Sequence, residues 1–165
     1  MRTLIGLDPG LASTGWGVVQ FDGSRFHHVA HGVVHTEPDT PLETRLCLIH
    51  TALGRVLSRY KPDEAGVEEL FFAKNVSSAI HVAQARGVVL LALGQRGIPV
   101  SCYTPQHVKQ AVIGRGKAEK DQVQRLVSVV LGLTEIPSPD HAADALAIAI
   151  CHANRSALDV QQHHR

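Results

Sequence analysis

The sequence lacks a long hydrophobic run, a large net charge and a regular set of cysteines. Its longest apolar run, Val88 to Leu93, is far shorter than the roughly 20 residues of a membrane span, which favours a soluble protein. The 3 cysteines are widely separated and the first residues do not resemble a secretory leader, so we expect a reducing cytoplasm. With a formal net charge of +1, binding to nucleic acid would require a local basic patch.

The 165 residues, of which 44% are hydrophobic, are enough for one domain with a real core. We expect this domain to cover residues 1–157, followed by a flexible polar tail at 158–165. Apolar periodicity, turn residues and helix caps predict ten elements. The predicted strands are 3–8, 14–21, 25–35, 65–70 and 100–103, and the predicted helices are 41–60, 77–95, 105–113, 119–131 and 139–154. An antiparallel meander followed by alternating strands and helices predicts an α/β fold, with a five-stranded mixed sheet flanked by helices.

Three distant segments each place a carboxylate among apolar residues. Asp8 ends an apolar strand, Glu68 lies in a second one, and Asp144 lies in a helix whose neighbours are small or apolar. Ionised carboxylates are costly to bury unless something compensates their charge. The three segments therefore suggest acids that converge on divalent cations, which is the chemistry of metal-dependent phosphodiester cleavage.

Three residues close in sequence to these acids, namely Glu69, His141 and Asp140, could also belong to the site. Adjacent residues of a strand face opposite sides, so only one of Glu68 and Glu69 can point at Asp8. His141 lies three residues before Asp144 and so shares its helix face. Asp140 could also share that face, but its place in the first helical turn favours a capping role, where an acid meets the helix dipole.

Six motifs, in this order along the chain, resemble those of the RuvC family of Holliday junction resolvases. The similarity runs from Arg2 to about Ala153, and the motifs are Gly6-Leu7-Asp8-Pro9-Gly10 with Thr14-Gly15-Trp16-Gly17, Val67 to Asn75, Gln84 to Val88, Val108-Lys109-Gln110, Gly116 to Lys120, and His141 to Ala147. The resemblance implies a ribonuclease H-like fold. It also implies an endonuclease that resolves four-way DNA junctions in recombination and repair and leaves 5′-phosphate ends.

The resemblance also implies a site. It selects Glu68 over Glu69 and groups Asp8, Glu68, His141 and Asp144 as catalytic residues and metal ligands. Two Mg²⁺ or Mn²⁺ ions would assist hydrolysis there, one activating the attacking water and the other stabilising the departing 3′ oxygen. His141 departs from the family pattern, in which an aspartate is common, although imidazole can also bind a metal.

The expected DNA contacts lie in two segments. A basic patch contains Lys109, Lys117 and Lys120, which we expect to contact phosphates; the alternative is that they only solvate a helix surface. By resemblance, Phe71 would stack on unpaired bases at the junction centre. Lys74 completes the predicted set, while Phe72 is assigned to packing.

A four-way junction offers two strands to cut symmetrically, so the natural assembly is a homodimer. The helix predicted at 77–95 is apolar around much of its circumference and could form the interface, or it could be fully buried in the monomer. The resemblance also suggests a branch-migration motor as a partner.

Parts of the sequence are also compatible with other functions. The first motif also resembles the phosphate loop of actin-like ATPases and sugar kinases, but those enzymes need a second lobe. A nuclease acting on RNA or RNA/DNA hybrids and a junction-binding module that does not cut are the remaining alternatives. The 11 histidines show no ordered zinc spacing, and the cysteines are expected to be small buried hydrophobes.

Overall fold

The computed structural model describes residues 1–70, 76–114 and 119–162, with side chains up to residue 155. In chain order the elements are β1 (Arg2–Asp8), β2 (Ser13–Phe21), β3 (Phe26–His35), α1 (Leu42–Tyr60), β4 (Glu64–Glu68), α2 (Val76–Gly94), β5 (Val100–Tyr103), α3 (Pro105–Ile113), α4 (Lys120–Val130) and α5 (Asp140–Gln162). The predicted α/β class is confirmed.

The five strands form one mixed sheet in the order β3-β2-β1-β4-β5. The strands β1, β2 and β3 pair antiparallel, whereas β1 pairs parallel with β4 and β4 with β5. Leu7 lies beside Val67 in the parallel pair. The carboxyl ends of β1 and β4 therefore meet at one edge of the sheet, and they carry Asp8 and Glu68.

Helices cover both faces of the sheet, each over its own hydrophobic core. One core packs α1 and α2 on residues such as Ile5 and Val67. The other packs α3, α4 and α5 on residues such as Leu4 and Val19. The alternation of Leu4 and Ile5 between the two cores follows from the two-residue repeat of a strand.

Helix α5 lies unusually close to the sheet because glycines face it. A Cβ atom added at Gly6 would lie 1.9 Å from the carbonyl oxygen of Ala145, and one added at Gly15 would lie 2.0 Å from that of His141. Neither position has space for a methyl group. The height of α5 above β1 and β2 is thus set by backbone contact, and Gly15 is paired with Asp8.

The structure differs from the predictions at β4, at α5 and at two cysteines. Strand β4 ends at Glu68, two residues before its predicted end. Helix α5 continues to Gln162, eight residues beyond the predicted end. It begins at Asp140, where the backbone N–H of Ala142 donates the first hydrogen bond to the carbonyl oxygen of Pro139. Cys47 and Cys102 are exposed, and only Cys151 is buried. Cys102 lies on the edge strand β5, where its sulfur accepts a hydrogen bond from Arg86.

Helix α2 is only partly buried. Ala85, Val89 and Leu93 belong to the core, but Ile80 is 53% and Leu91 54% exposed. By length and composition α2 could cross a membrane, a test that core helices of soluble proteins also pass. Its outer face therefore carries apolar side chains that no other part of the described chain covers.

A β-bulge in β3 brings two histidines together. Val18 pairs with Ala30 and Val19 with His28, which leaves Val29 as the extra residue. His28 and His31 consequently share a sheet face, and their ring nitrogens Nε2 and Nδ1 lie 2.8 Å apart. Burial lowers the pKa of both imidazoles below the usual 6.5, and the charge of His31 lowers that of His28 further.

This pair is expected to make folding stability depend on pH. As the pH falls through 6.5, the unfolded chain takes up protons at both positions before the folded protein does, so the free energy of unfolding decreases. The variant His28→Gln/His31→Gln should lose less stability than the wild type between pH 7.5 and pH 5. Urea unfolding at both pH values gives the loss of unfolding free energy for each protein. The contributions of titratable groups that both proteins share cancel when the two losses are subtracted. Equal losses in the two proteins would contradict the prediction.

Candidate active site

Four predicted site residues meet at the edge of the sheet where β1 and β4 end. Asp8 is the last residue of β1 and Glu68 the last residue of β4, while His141 and Asp144 project from the first turns of α5. Three residues separate His141 from Asp144, so both lie on one helix face. The close contact between α5 and Gly15 brings that face to Asp8.

Asp8 lies at the centre of the group and is 7% exposed. Its Oδ2 atom lies 2.8 Å from Nδ1 of His141. Asp8, His141 and Asp144 each offer one ligand atom, and these atoms all lie within 4.8 Å of one another. The hydrogen bond to Asp8 raises the pKa of His141, although partial burial opposes it.

Glu68 lies outside that group of three but is coupled to it. Burial raises the pKa of Glu68 to about 8, and the charge of Asp8 and a hydrogen bond with it contribute, followed by the charge of Asp144. The carboxylates therefore crowd one another, and negative charge at this edge is incompletely compensated. Burial also raises the pKa of Asp144, and Lys120 opposes that effect.

Lys120, the first residue of α4, supplies a positive charge to this edge. Its Nζ atom lies 3.1 Å from Oδ2 of Asp144 and 3.6 Å from Oδ2 of Asp140. Partial burial works against the ammonium charge, but the hydrogen bond and charge of Asp144 outweigh it and raise the pKa of Lys120. Lys120 thus holds one carboxylate of the group by an ion pair.

A cavity of about 200 Å³ opens beside the carboxylates. Glu68, Asp144, Lys109 and Lys120 line it together with apolar side chains such as Val108. Lys109 and Lys120 therefore lie at the rim of the acidic group. A negatively charged chain that reaches the carboxylates at this side would meet both ammonium groups.

The structure brings together Asp8, Glu68, His141 and Asp144, with Lys109 and Lys120 beside them. Glu69 is exposed, and the side chain of Asp140 is 69% exposed. Phe71, Phe72, Lys74 and Lys117 lie outside the described residues.

Sequence reasoning missed the ion pair between Lys120 and Asp144. These residues belong to different helices, and no regular spacing connects them.

The donor set fits Mg²⁺ or Mn²⁺. Carboxylate oxygens are the ligands that these cations prefer, and a single imidazole is compatible with Mn²⁺. Burial, followed by the negative charges of Asp8 and Asp144, raises the pKa of Glu68, and a bound cation would offset the contribution of those charges. Asp8, Glu68, His141 and Asp144 are therefore suited to holding divalent cations.

Comparisons with known proteins agree with this geometry. The family model "Crossover junction endodeoxyribonuclease RuvC" matches residues 4–152. Proteins of that name from Desulforamulus reducens and Chloroflexus aggregans are 52% and 54% identical, over 93% of this chain and 94% and 93% of theirs. The structure "T. thermophilus RuvC in complex with Holliday junction substrate" matches with a TM-score of 0.92 and 40% identity, over 96% of this chain and 97% of that one. The chain therefore belongs to the RuvC family of crossover junction endodeoxyribonucleases.

Proposed function

We propose that this chain is a metal-dependent endonuclease that cleaves four-way DNA junctions in recombination and repair. The observation that carries the proposal is the group Asp8, Glu68, His141 and Asp144, built on a chain that matches the family over residues 4–152. Because a nuclease must reach its DNA substrate, we also propose that the protein is located in the cytoplasm. By resemblance alone, a branch-migration motor is a further partner.

In this proposal the four site residues hold two Mg²⁺ or Mn²⁺ ions. Bound cations of this kind activate water and neutralise charge that develops on a departing oxygen. Asp8, Glu68 and Asp144 would supply carboxylate oxygens to these ions, and His141 would supply an imidazole nitrogen. His141 also holds the Asp8 carboxylate in place through the 2.8 Å contact between Nδ1 and Oδ2.

Lys120 has a second role in the proposal. Cation binding at Asp144 would compete with its ion pair, and the released ammonium group could then contact a phosphate of the DNA. Lys109 lines the same cavity and would contact a phosphate as well. The family resemblance adds Lys74 and Lys117 to these contacts and gives Phe71 a stacking role at the junction centre.

The proposal is tested with wild-type protein on three substrates of matched sequence. These are a four-way DNA junction, a linear DNA duplex and an RNA/DNA hybrid, each incubated with Mg²⁺, Mn²⁺ or EDTA. We expect paired, symmetric cuts in the junction alone, only with metal, and with 5′-phosphate ends. Preferential cutting of the hybrid would support a nuclease that acts on RNA, and metal-independent binding without cuts would indicate a non-cleaving module.

His141 is expected to contribute to metal affinity. His141→Ala removes a ligand and should weaken Mn²⁺ binding at least roughly tenfold, whereas His141→Asp supplies an oxygen ligand and should retain binding. Isothermal titration with Mn²⁺ measures both. His50→Ala is the control, because His50 hydrogen-bonds Gln95 away from the site. Unchanged Mn²⁺ affinity in His141→Ala would show that the imidazole only orients Asp8.

We also propose that two copies of the chain associate through the outer face of α2. The stripe Val76, Ile80, Ala83, Gly87 and Leu91 recurs every three or four residues, and all five are exposed. A Cβ atom added at Gly87 would meet nothing within 4 Å, so the middle of the stripe is open to close approach by a second helix. A two-fold axis through this stripe would present two sites to a junction with two strands to cut.

Ile80→Glu is expected to weaken dimerisation roughly 100-fold, because association would then bury an unpaired carboxylate. Sedimentation velocity over a concentration series measures the dissociation constant. Val129→Glu provides the matched control, since Val129 is 72% exposed but lies on α4. A monomeric wild type, or equal dimerisation of Ile80→Glu and wild type, would refute the α2 interface.

A further inference from the structure

A second cavity, of about 300 Å³, is lined by His141 but not by Lys120. Its walls come from the loop between β1 and β2, from α1 and from the beginning of α2. The polar side chains that line it are Ser13, Arg45, Ser78, His81 and His141. His141 therefore belongs both to the candidate active site and to a cavity that no acidic residue lines within the described part of the chain.

The guanidinium group of Arg45 is anchored by a hydrogen bond at Nε, whereas its two terminal nitrogens face no hydrogen-bond acceptor among the described residues. Its Nε atom donates to Oγ1 of Thr36 over 2.8 Å, and the Thr36 hydroxyl donates to the carbonyl of Leu11 over 2.6 Å. Thr36 is 6% exposed, so this anchor is buried. Among the described residues, no carboxylate lies within 4.0 Å of the Arg45 guanidinium, and its terminal nitrogens have no acceptor.

The anchored guanidinium suits an anion with several oxygens. Arginine presents its donors in a planar fork that matches phosphate, and a half-buried fork is already positioned before binding. Ser78 and His81 lie one turn apart on α2 and add donors at the same cavity. The cavity therefore offers a cation and neutral donors without a competing carboxylate.

We propose that Arg45, with Ser78 and His81, binds a backbone phosphate of the cleaved strand next to the phosphate that is cut. The proposal rests on the proposed function: His141 lines this cavity and also contacts Asp8 over 2.8 Å, so a strand bound at the carboxylates has a neighbouring phosphate within reach of the cavity. The Arg45 contact would fix the position of the strand along the site. Arg45 is thus a positioning residue that does not touch the reacting atoms.

The first test measures how junction affinity depends on salt, in EDTA so that no cleavage occurs. Arg45→Gln should lower the slope of log affinity against log salt by about 0.9, the value of one lost phosphate contact on duplex DNA. Arg45→Lys should keep most of the slope because the charge remains. Arg55→Gln is the matched control, since Arg55 is exposed on the same helix and does not line the cavity. Equal slopes for Arg45→Gln and the wild type would overturn the proposal.

The second test locates the phosphate. Junctions are prepared with a single neutral methylphosphonate at each linkage flanking the cleavage point. Wild type should lose affinity at one particular linkage, and Arg45→Gln should lose nothing further there, because the same contact is already absent. Additive losses at every linkage would show that Arg45 binds none of these phosphates.

A third variant covers the case in which Arg45→Gln disturbs the Thr36 anchor and fails to fold. Ser78→Asp changes an exposed side chain and places a carboxylate in the cavity, so it should weaken junction binding. The methylphosphonate that lowers the affinity of wild type should then cause no further decrease, because the phosphate contact is already lost. Wild-type behaviour of Ser78→Asp would count against the site. If wild type binds the junction in EDTA but does not cut it with metal, the proposed function fails, whereas the salt slopes of wild type and Arg45→Gln still decide the Arg45 phosphate contact. If wild type does not bind the junction, both the proposed function and the Arg45 contact are overturned.

Discussion

Asp8→Asn is expected to abolish junction cleavage while leaving junction binding largely intact. The amide keeps the shape of the side chain but removes the central negative charge of the group that would hold the metal ions. If the charge stabilisation lost is about 4 kcal/mol, the rate falls roughly 1,000-fold. Glu68→Gln and Asp144→Asn should behave alike. Single-turnover cleavage with Mg²⁺, beside binding in EDTA, measures the two effects separately.

The chain offers a matched control for two of these variants. Glu69→Gln and Asp140→Asn remove the same charges one and four residues away, from side chains that are exposed. Both control variants should cleave within a few-fold of the wild-type rate. Near wild-type cutting by Glu68→Gln would remove Glu68 from the site, and a large loss in Glu69→Gln would transfer the role to Glu69.

Gly15→Ala is expected to damage both the fold and the site. The added Cβ atom would lie 2.0 Å from the carbonyl oxygen of His141 and 2.5 Å from its carbonyl carbon, so α5 must move away from β2. Such a forced backbone shift costs about 3 kcal/mol in unfolding free energy. It also carries His141 and Asp144 away from Asp8, and Mn²⁺ affinity should therefore fall even in the molecules that remain folded.

Gly94→Ala is the control for this substitution. Gly94 is the last residue of α2, and a Cβ atom there would meet nothing within 4 Å. Because alanine is the better helix former, the variant should be at least as stable as the wild type and should match it in Mn²⁺ affinity. Urea unfolding and Mn²⁺ titration are performed on both variants. If Gly15→Ala retained wild-type values in both measurements, the contact between α5 and β2 would not position the site.

Most of the fold could be predicted from local patterns. The mixed five-stranded sheet follows from a meander and the alternation of strands and helices, and the predicted bounds of β5 and α3 match the structure. The place of β4 beside β1 required the three-dimensional structure. The predicted end of α5 was too early because the polar residues after Asn154 suggest a tail, although Ala157, Leu158 and Gln161 are good helix formers. Exposure of Cys47 and Cys102 depends on which helix face and sheet edge remain open, which no local pattern contains.

The candidate site was predictable in composition but not in geometry. An apolar setting marks Asp8 and Asp144, and strand alternation limits the choice between Glu68 and Glu69. The roles of His141 and Glu68 depended on the family resemblance. The ion pair of Lys120 with Asp144 and the guanidinium anchor on Thr36 join residues from different elements, so they required the three-dimensional structure.

The backbone contact of α5 with Gly6 and Gly15 has a consequence for protein engineering. Because main-chain contacts at these glycines limit how closely this helix approaches the sheet, the distance between His141 and Asp8 is set first by backbone atoms and only secondarily by the side chains that fill the cores. Thermostable versions can therefore be sought by volume-conserving replacement of core residues, for example around Ile49 or Val127, without redesigning the catalytic centre. The two glycines are the positions that such a library should keep constant.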